Sequence, residues 1–142
     1  MKHISFLTVR GYELDSFGHV NNSVYAQYAE TAMWECFAEY GLVDVMQEQG
    51  LFPVIMESHL RYMHELKLLE KVRIESEMKA SSGLIRYQHH IYSDDTGKLA
   101  CKVTGKIACV SRDRMINDIP EEIIRSLECD ESCLKSESKT KT

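Results

Sequence analysis

Residues 15–41 read DSFGHVNNSVYAQYAETAMWECFAEYG, and the fold turns on what this stretch becomes. From Val24 onward the apolar residues come in pairs: Val24 with Tyr25, Tyr28 with Ala29, Ala32 with Met33, Cys36 with Phe37, then Tyr40. Ser23, Gln27, Glu30, Thr31, Glu35 and Glu39 fill the other side. The spacing predicts a helix over 23–40, with Gly41 placed to close it. Because the pairs recur every four residues and a turn takes about 3.6, the apolar band drifts around the cylinder. A helix buried on a widening arc suits a curved sheet better than a single flat partner.

The flanking segments supply such a sheet. Residues 3–14, rich in β-branched and aromatic types, read as a strand. A short helix is expected over 42–50. Four strand patterns follow. In PVIMESHLRYM (53–63) one face carries Val54, Met56, Leu60 and Tyr62. KVRIESEMKAS (71–81) alternates Val72, Ile74 and Met78 against charge. GLIRYQHHIYS (83–93) is mixed, and TGKLACKVTGKIACVS (96–111) alternates again. SSG and DDTG between them are hairpin signals. IPEEIIRSLE (119–128) reads as a last helix opened by Pro120. The order β, long helix, β-meander is that of an α+β domain in which one sheet wraps one helix. Residues 1–128 are expected to form it, and the polar tail 129–142 to be disordered.

At 142 residues and 44% hydrophobic, the chain is long enough for one cored domain. A net charge of −5 with no basic block argues against a nucleic-acid partner, although a local basic pocket stays possible in an acidic chain. No stretch approaches the roughly 20 apolar residues of a membrane helix, so stable membrane insertion is not expected. The opening MKHISFLTVRGYEL lacks the apolar core of a signal peptide. Cys36, Cys101, Cys109, Cys129 and Cys133 are odd in number, and CDESC has no second pair to complete a zinc site. Free thiols in a reducing cytoplasm, and no metal, are the expectation.

DSFGHVNN (15–22) has two readings. It can be a turn at Gly18 followed by a helix capped by Asn21, Asn22 or Ser23. It can also be a site. The first turn of a helix carries backbone N–H groups without internal partners, and these can grip an oxygen that becomes negative during acyl transfer. An aspartate carboxylate can attack a carbonyl or activate water. What is missing is an acid for the leaving group, and a thiol barely needs one, since thiols ionise near 8.5. Asp15 with helix amides would suit a thioester and serve an amide poorly.

The longer stretch VRGYELDSFGHVNNSVYAQYAE (9–30) resembles the signature of hot-dog-fold acyl thioesterases, the 4-hydroxybenzoyl-CoA thioesterase-like family. It looks most like bacterial long-chain acyl-CoA thioesterases and plant acyl-lipid thioesterases. The resemblance runs over residues 3–120 and implies the hot-dog fold, an antiparallel sheet around one long helix. It implies acyl-CoA or acyl-carrier-protein thioester hydrolysis, with no cofactor beyond the coenzyme A of the substrate.

Carried onto this chain, the resemblance makes Asp15 nucleophile or general base. The Asn22 amide polarises the carbonyl, His19 sits beside the site, and Gly18 keeps the loop close to substrate. Asn21 supports the loop or caps the helix, while Tyr25 is a packing residue at the pocket. Glu57 is expected to support the site or a subunit contact. Arg61, Lys67 and Arg86 are candidates for the coenzyme A phosphates. His89 and His90 alternate across a strand, so they cannot share a metal. Two places depart from the family pattern: ETAMWE, with Met33, and YMHELKLLEKV after the second strand. The open sheet edge implies a homodimer or a dimer of dimers. Without an evident polar pocket residue, a fatty acyl group is favoured over a hydroxylated aromatic one. A hydratase using His19 with Asp15, and a non-catalytic acyl-CoA-binding module, are the alternatives.

Overall fold

The computed structural model describes residues 1–128, so the expectation for the tail 129–142 lies outside the described residues. The strands are β1 (Lys2–Thr8), β2 (Leu51–Tyr62), β3 (Lys71–Ser81), β4 (Leu84–Ser93), β5 (Leu99–Ser111) and the short β6 (Ile116–Asn117). The helices are α1 (Asn22–Glu39), α2 (Leu42–Glu48) and α3 (Glu121–Leu127). The sheet runs β1-β3-β4-β5-β2 with every neighbouring pair antiparallel, and β6 adds to β5. Helix α1 lies against β1, β3, β4 and β5, giving the hot-dog arrangement expected from the sequence.

Every apolar residue expected on the inner side of α1 is buried from Val24 to Phe37; Tyr40 is half-buried, with its hydroxyl donating to the Lys2 carbonyl at 2.8 Å. The drifting band is matched by inner-face rows of three strands. Val72, Ile74 and Met78 of β3, Ile85 and Ile91 of β4, and Cys101, Val103 and Ile107 of β5 are all sealed. Burial pushes the Cys36 thiol up to about 12 and Cys101 to about 11, so both behave as small apolar groups at neutral pH.

Three expectations need correction. The strand predicted over 3–14 stops at Thr8. Beyond it Val9 exchanges backbone bonds with Leu69 and Glu70, and the chain tightens into a 3₁₀ turn at Gly11–Glu13 because Glu13 is drawn into the core. The face assigned to β2 is broken by a bulge: the register passes from Ile55 opposite Ile107 to Glu57 opposite Lys106, leaving Met56 as the extra residue. Val54 therefore points away from Leu60 and Tyr62. In β4 the mixed pattern hid a clean alternation, because the inward position 89 is a histidine.

The bulge is held from beneath. The Tyr87 hydroxyl donates to the Glu57 carbonyl at 3.1 Å, crossing over Gly105 of β5. A methyl group at Gly105 would lie 2.1 Å from that carbonyl oxygen and 2.4 Å from the tyrosine hydroxyl. Backbone cannot yield cheaply, so Gly105→Ala is expected to destabilise the fold by about 2 kcal/mol. Urea unfolding checks this; a loss within experimental error would mean that the bulge relaxes without resistance.

Candidate active site

The loop before α1 is built from one buried carboxylate. Glu13 is 3% exposed; its side chain accepts from the Arg10 backbone N–H, the Arg10 guanidinium and the Tyr28 hydroxyl, each at 2.7 Å. Its carbonyl accepts from the Asn21 N–H at 2.9 Å. The 3₁₀ turn is thereby tied both to the start of α1 and to its second turn. Burial disfavours the charged form, but the bonds from Arg10 and Tyr28 outweigh it and hold the Glu13 carboxyl below the usual range. Tyr28 is raised correspondingly, by burial first and then by its carboxylate partner.

On that base residues 14–20 form a tight hairpin, with Leu14 bridged to Val20. The Asp15 N–H donates to the His19 carbonyl at 2.8 Å, and Gly18 donates to the Asp15 carbonyl at 3.1 Å. Asp15 Oδ1 accepts from the Phe17 N–H at 2.9 Å and the His19 N–H at 3.2 Å. Four amide contacts thus fix the carboxylate through one oxygen and through its backbone. Gly18 sits at φ +81°, and a methyl group there would meet nothing within 4 Å. What demands glycine inside this chain is the left-handed backbone rather than crowding.

Asn21 caps α1, its Oδ1 accepting from the Ser23 N–H and hydroxyl at 3.0 Å. Val24 N–H turns back to the Asn21 carbonyl. That leaves the Asn22 N–H, the first of the helix, without a hydrogen-bond partner among the described residues. Asn22 accepts instead at its carbonyl, from the Tyr62 hydroxyl at 3.2 Å. Tyr25, one turn on and 3% exposed, packs edge-to-face on Tyr62 at 5.5 Å and on Tyr28 at 6.1 Å. Burial raises its hydroxyl to about 12, so it stays neutral.

A cleft of about 260 Å³ opens where these parts meet, bordered by Asp15, His19, Asn22, Tyr25, Tyr62 and Glu65 among others. Asp15, His19, Asn22 and Tyr25 thus border one cleft, with Gly18 and Asn21 shaping the loop around them. His19 does not turn its ring on Asp15: its Nε2 lies 2.7 Å from Glu65, on the segment after β2. Glu65 is not among the expected site residues, and Tyr62 is expected only on a face of the second strand. The signal for both is YMHEL (62–66), which crowds a tyrosine, a histidine and a glutamate into the departure from the family pattern after that strand. Val20 N–H donates to the Leu66 carbonyl at 2.9 Å and brings this segment across the cleft.

The remaining expected residues lie elsewhere. Glu57 pairs with Lys106 on the outer face of the sheet, 3.8 Å from its ammonium, and does not border the cleft. Arg61 stands opposite Lys102 and Arg86 between Lys79 and Lys106, on the same outer face. Lys67 is bridged to His19 and stays beside the cleft. The physical reason is alternation: Glu57 and Arg61 are out of phase with the inward Leu60 and Tyr62, and Arg86 is out of phase with the buried Ile85 and Tyr87, so all three point outward. Among the described residues no cluster of His, Cys, Asp or Glu has the makings of a metal site, and no helix is long and apolar enough to cross a membrane.

Known proteins share the fold. The chain is 32% identical over 88 residues to the chloroplastic acyl-acyl carrier protein thioesterase ATL3 of Arabidopsis thaliana, a match covering 61% of this chain and 46% of that protein. It is 27% identical over 77 residues to the long-chain acyl-CoA thioesterase FadM of Escherichia coli, covering 54% of this chain and 58% of that one. The matched stretch is about half the length of these relatives. In three dimensions it resembles a 1,4-dihydroxy-2-naphthoyl-CoA thioesterase from Synechocystis, with a TM-score of 0.82 at 12% identity over 93% of this chain and 98% of the other. That likeness speaks for the fold. The sequence profile of the thioesterase-like superfamily matches residues 9–127, which take in the central helix and every strand after β1, and the chain belongs to that superfamily.

Proposed function

We propose that the protein hydrolyses acyl thioesters, releasing a free acid and the thiol of coenzyme A or of an acyl carrier protein. The observation that carries this reading is the single cleft shared by the Asp15 carboxylate and the unpartnered first amide of α1. A thioester carbonyl resting on the Asn22 N–H is polarised by a donor that needs no rearrangement, and by the positive end of the helix. Asp15, braced through Oδ1, presents its other oxygen as nucleophile or as base for a water molecule. The thiolate leaves without an acid. Membership of the superfamily and the names of the two curated relatives support this reading.

A hydratase would need an acid/base pair at the substrate. Here Asp15 meets His19 through the backbone N–H, and the His19 ring faces Glu65. Thiol release followed with a chromogenic disulfide separates the readings: a hydrolase liberates thiol, whereas a hydratase or a binding module leaves the thioester intact. Of the three cations considered for the coenzyme A phosphates, Lys67 is the one beside the cleft and takes that role in this reading.

The assembly is a homodimer, or a dimer of dimers, paired along β2. Among the described residues this strand bonds to β5 on one side only, and Phe52, Val54, Ile55 and Met56 are all exposed along it. An open edge with apolar residues is a template for a second strand. Light scattering is expected to return at least twice the chain mass, and a stable, active monomer would contradict it.

A further inference from the structure

A second cavity, of about 220 Å³, lies between α1 and β2 and is bordered by Ala29, Met33, Ile55, Tyr87, His89 and Val103 among others. It lies further along α1 and β2 from the cleft. Asn22, Ala26, Ala29 and Met33 follow one another at helical spacing down one side of α1. Alongside them β2 passes from Tyr62 at the cleft to Ser58 and Ile55 at the cavity. Ala29 is seven residues beyond Asn22, roughly 10 Å down the helix axis. An acyl chain whose carbonyl meets the Asn22 amide has this cavity directly ahead of it.

The inner wall is not wholly apolar. His89 is 1% exposed, yet it borders the cavity. Its Nδ1 lies 2.7 Å from the hydroxyl of Ser76, the residue opposite on β3, itself 4% exposed. Tyr87 holds the ring from one side, centroids 5.3 Å apart. Burial, with a smaller contribution from His90, pushes the His89 imidazole down to about 4, so it is neutral in the working range. Among the described residues Ser5 Oγ is the sealed side-chain polar atom that lacks a partner. Among the described residues the second ring nitrogen of His89 has no hydrogen-bond partner, and the residue borders the cavity. A buried polar group without a partner costs stability unless a ligand or water supplies one.

We propose that this cavity receives the distal part of the acyl group, and that His89, oriented by Ser76, selects acyl chains bearing a hydroxyl at that depth. The proposal rests on the thioesterase reading for the position of the carbonyl. The choice of hydroxyl follows from the tautomers. If Nδ1–H donates to Ser76, the free nitrogen accepts; if the serine donates, the free nitrogen donates. A ligand hydroxyl satisfies either state, whereas a carbonyl satisfies only one. Gln27, Glu30 and Ser58 also border the cavity, but they are exposed at its mouth and keep their water.

The test uses coenzyme A thioethers, which cannot be hydrolysed, in matched pairs of graded chain length with and without a terminal hydroxyl. At one length the hydroxylated partner is expected to bind the wild-type protein about tenfold more tightly. In His89→Leu the preference falls to within about twofold while binding of the plain analogue is kept. His89→Gln, which retains a hydrogen-bonding group, keeps part of the preference, and Ser76→Ala, which frees the ring, weakens it. These two variants carry the test should the leucine variant fail to fold. Equal affinity at every length, or a preference that survives loss of the imidazole, overturns the proposal. The corresponding thioesters, assayed for thiol release, test the other reading separately: hydroxyl preference without turnover removes the hydrolase and leaves the pocket, and turnover without preference does the reverse.

Discussion

Asp15→Asn is expected to lower thiol release from an acyl-CoA substrate by roughly 10³- to 10⁴-fold, the range a positioned base or nucleophile supplies. The substitution is well matched to the question, because the oxygen that accepts from the Phe17 and His19 amides survives in asparagine. The loop should therefore keep its shape and the protein its melting temperature. What changes is the second atom of the group, which becomes a donor that can neither attack a carbonyl nor take a proton. A variant that hydrolyses at the parent rate would move the chemistry elsewhere, with the His19–Glu65 pair as the next place to look. A variant that loses both activity and thermal stability would show that Asp15 holds the loop rather than working in it.

Glu13→Ala is expected to be the most damaging single change to stability, at about 3 kcal/mol, or roughly 10 °C in melting temperature. Truncation leaves the Tyr28 hydroxyl and the Arg10 amide buried without their acceptor, and cuts the tie between the 3₁₀ turn and α1. The network also sets the response to acid. The Glu13 carboxyl is held below its ordinary value of 4.5, so its contribution is complete above that pH and is lost as pH falls through the lower folded value. His89 acts in the same direction higher on the scale. Its pKa is lowered from 6.5 to about 4, so protonation in the unfolded chain draws stability away progressively between those two values. Urea midpoints measured from pH 7 downward should fall first in the His89 window and again below 4.5, and His89→Leu should remove the first fall. A stability flat from pH 7 to 4 would contradict the buried, neutral state of the imidazole.

Much of the architecture was legible in the chain. The paired apolar residues of α1 announced a long helix under a curved sheet, because a period of four on a 3.6-residue turn leaves no other way to bury them all. DSFGHVNN announced both a helix start and a carboxylate near it, since capping and catalysis draw on the same unpartnered amides. Glu13 was harder to see. A glutamate in a segment read as a strand looks solvent-facing, and the bonds from Arg10 and from Tyr28 on the helix make its burial tolerable.

Local chemistry therefore determined, from the sequence alone, which residues become the long helix, where it begins and which carboxylate stands before it. Those choices rest on spacing within a few turns and on caps between near neighbours. The tertiary structure alone decided which distant residues share a space: Glu65 with His19, Tyr62 with Asn22, and Ser76 with His89 beside the second cavity. Those partners are set by strand register, and one extra residue at Met56 was enough to turn Val54 away from Leu60 and Tyr62. A pleated strand alternates its faces with every residue, so a bulge that leaves no mark in the sequence still changes which side chains can meet.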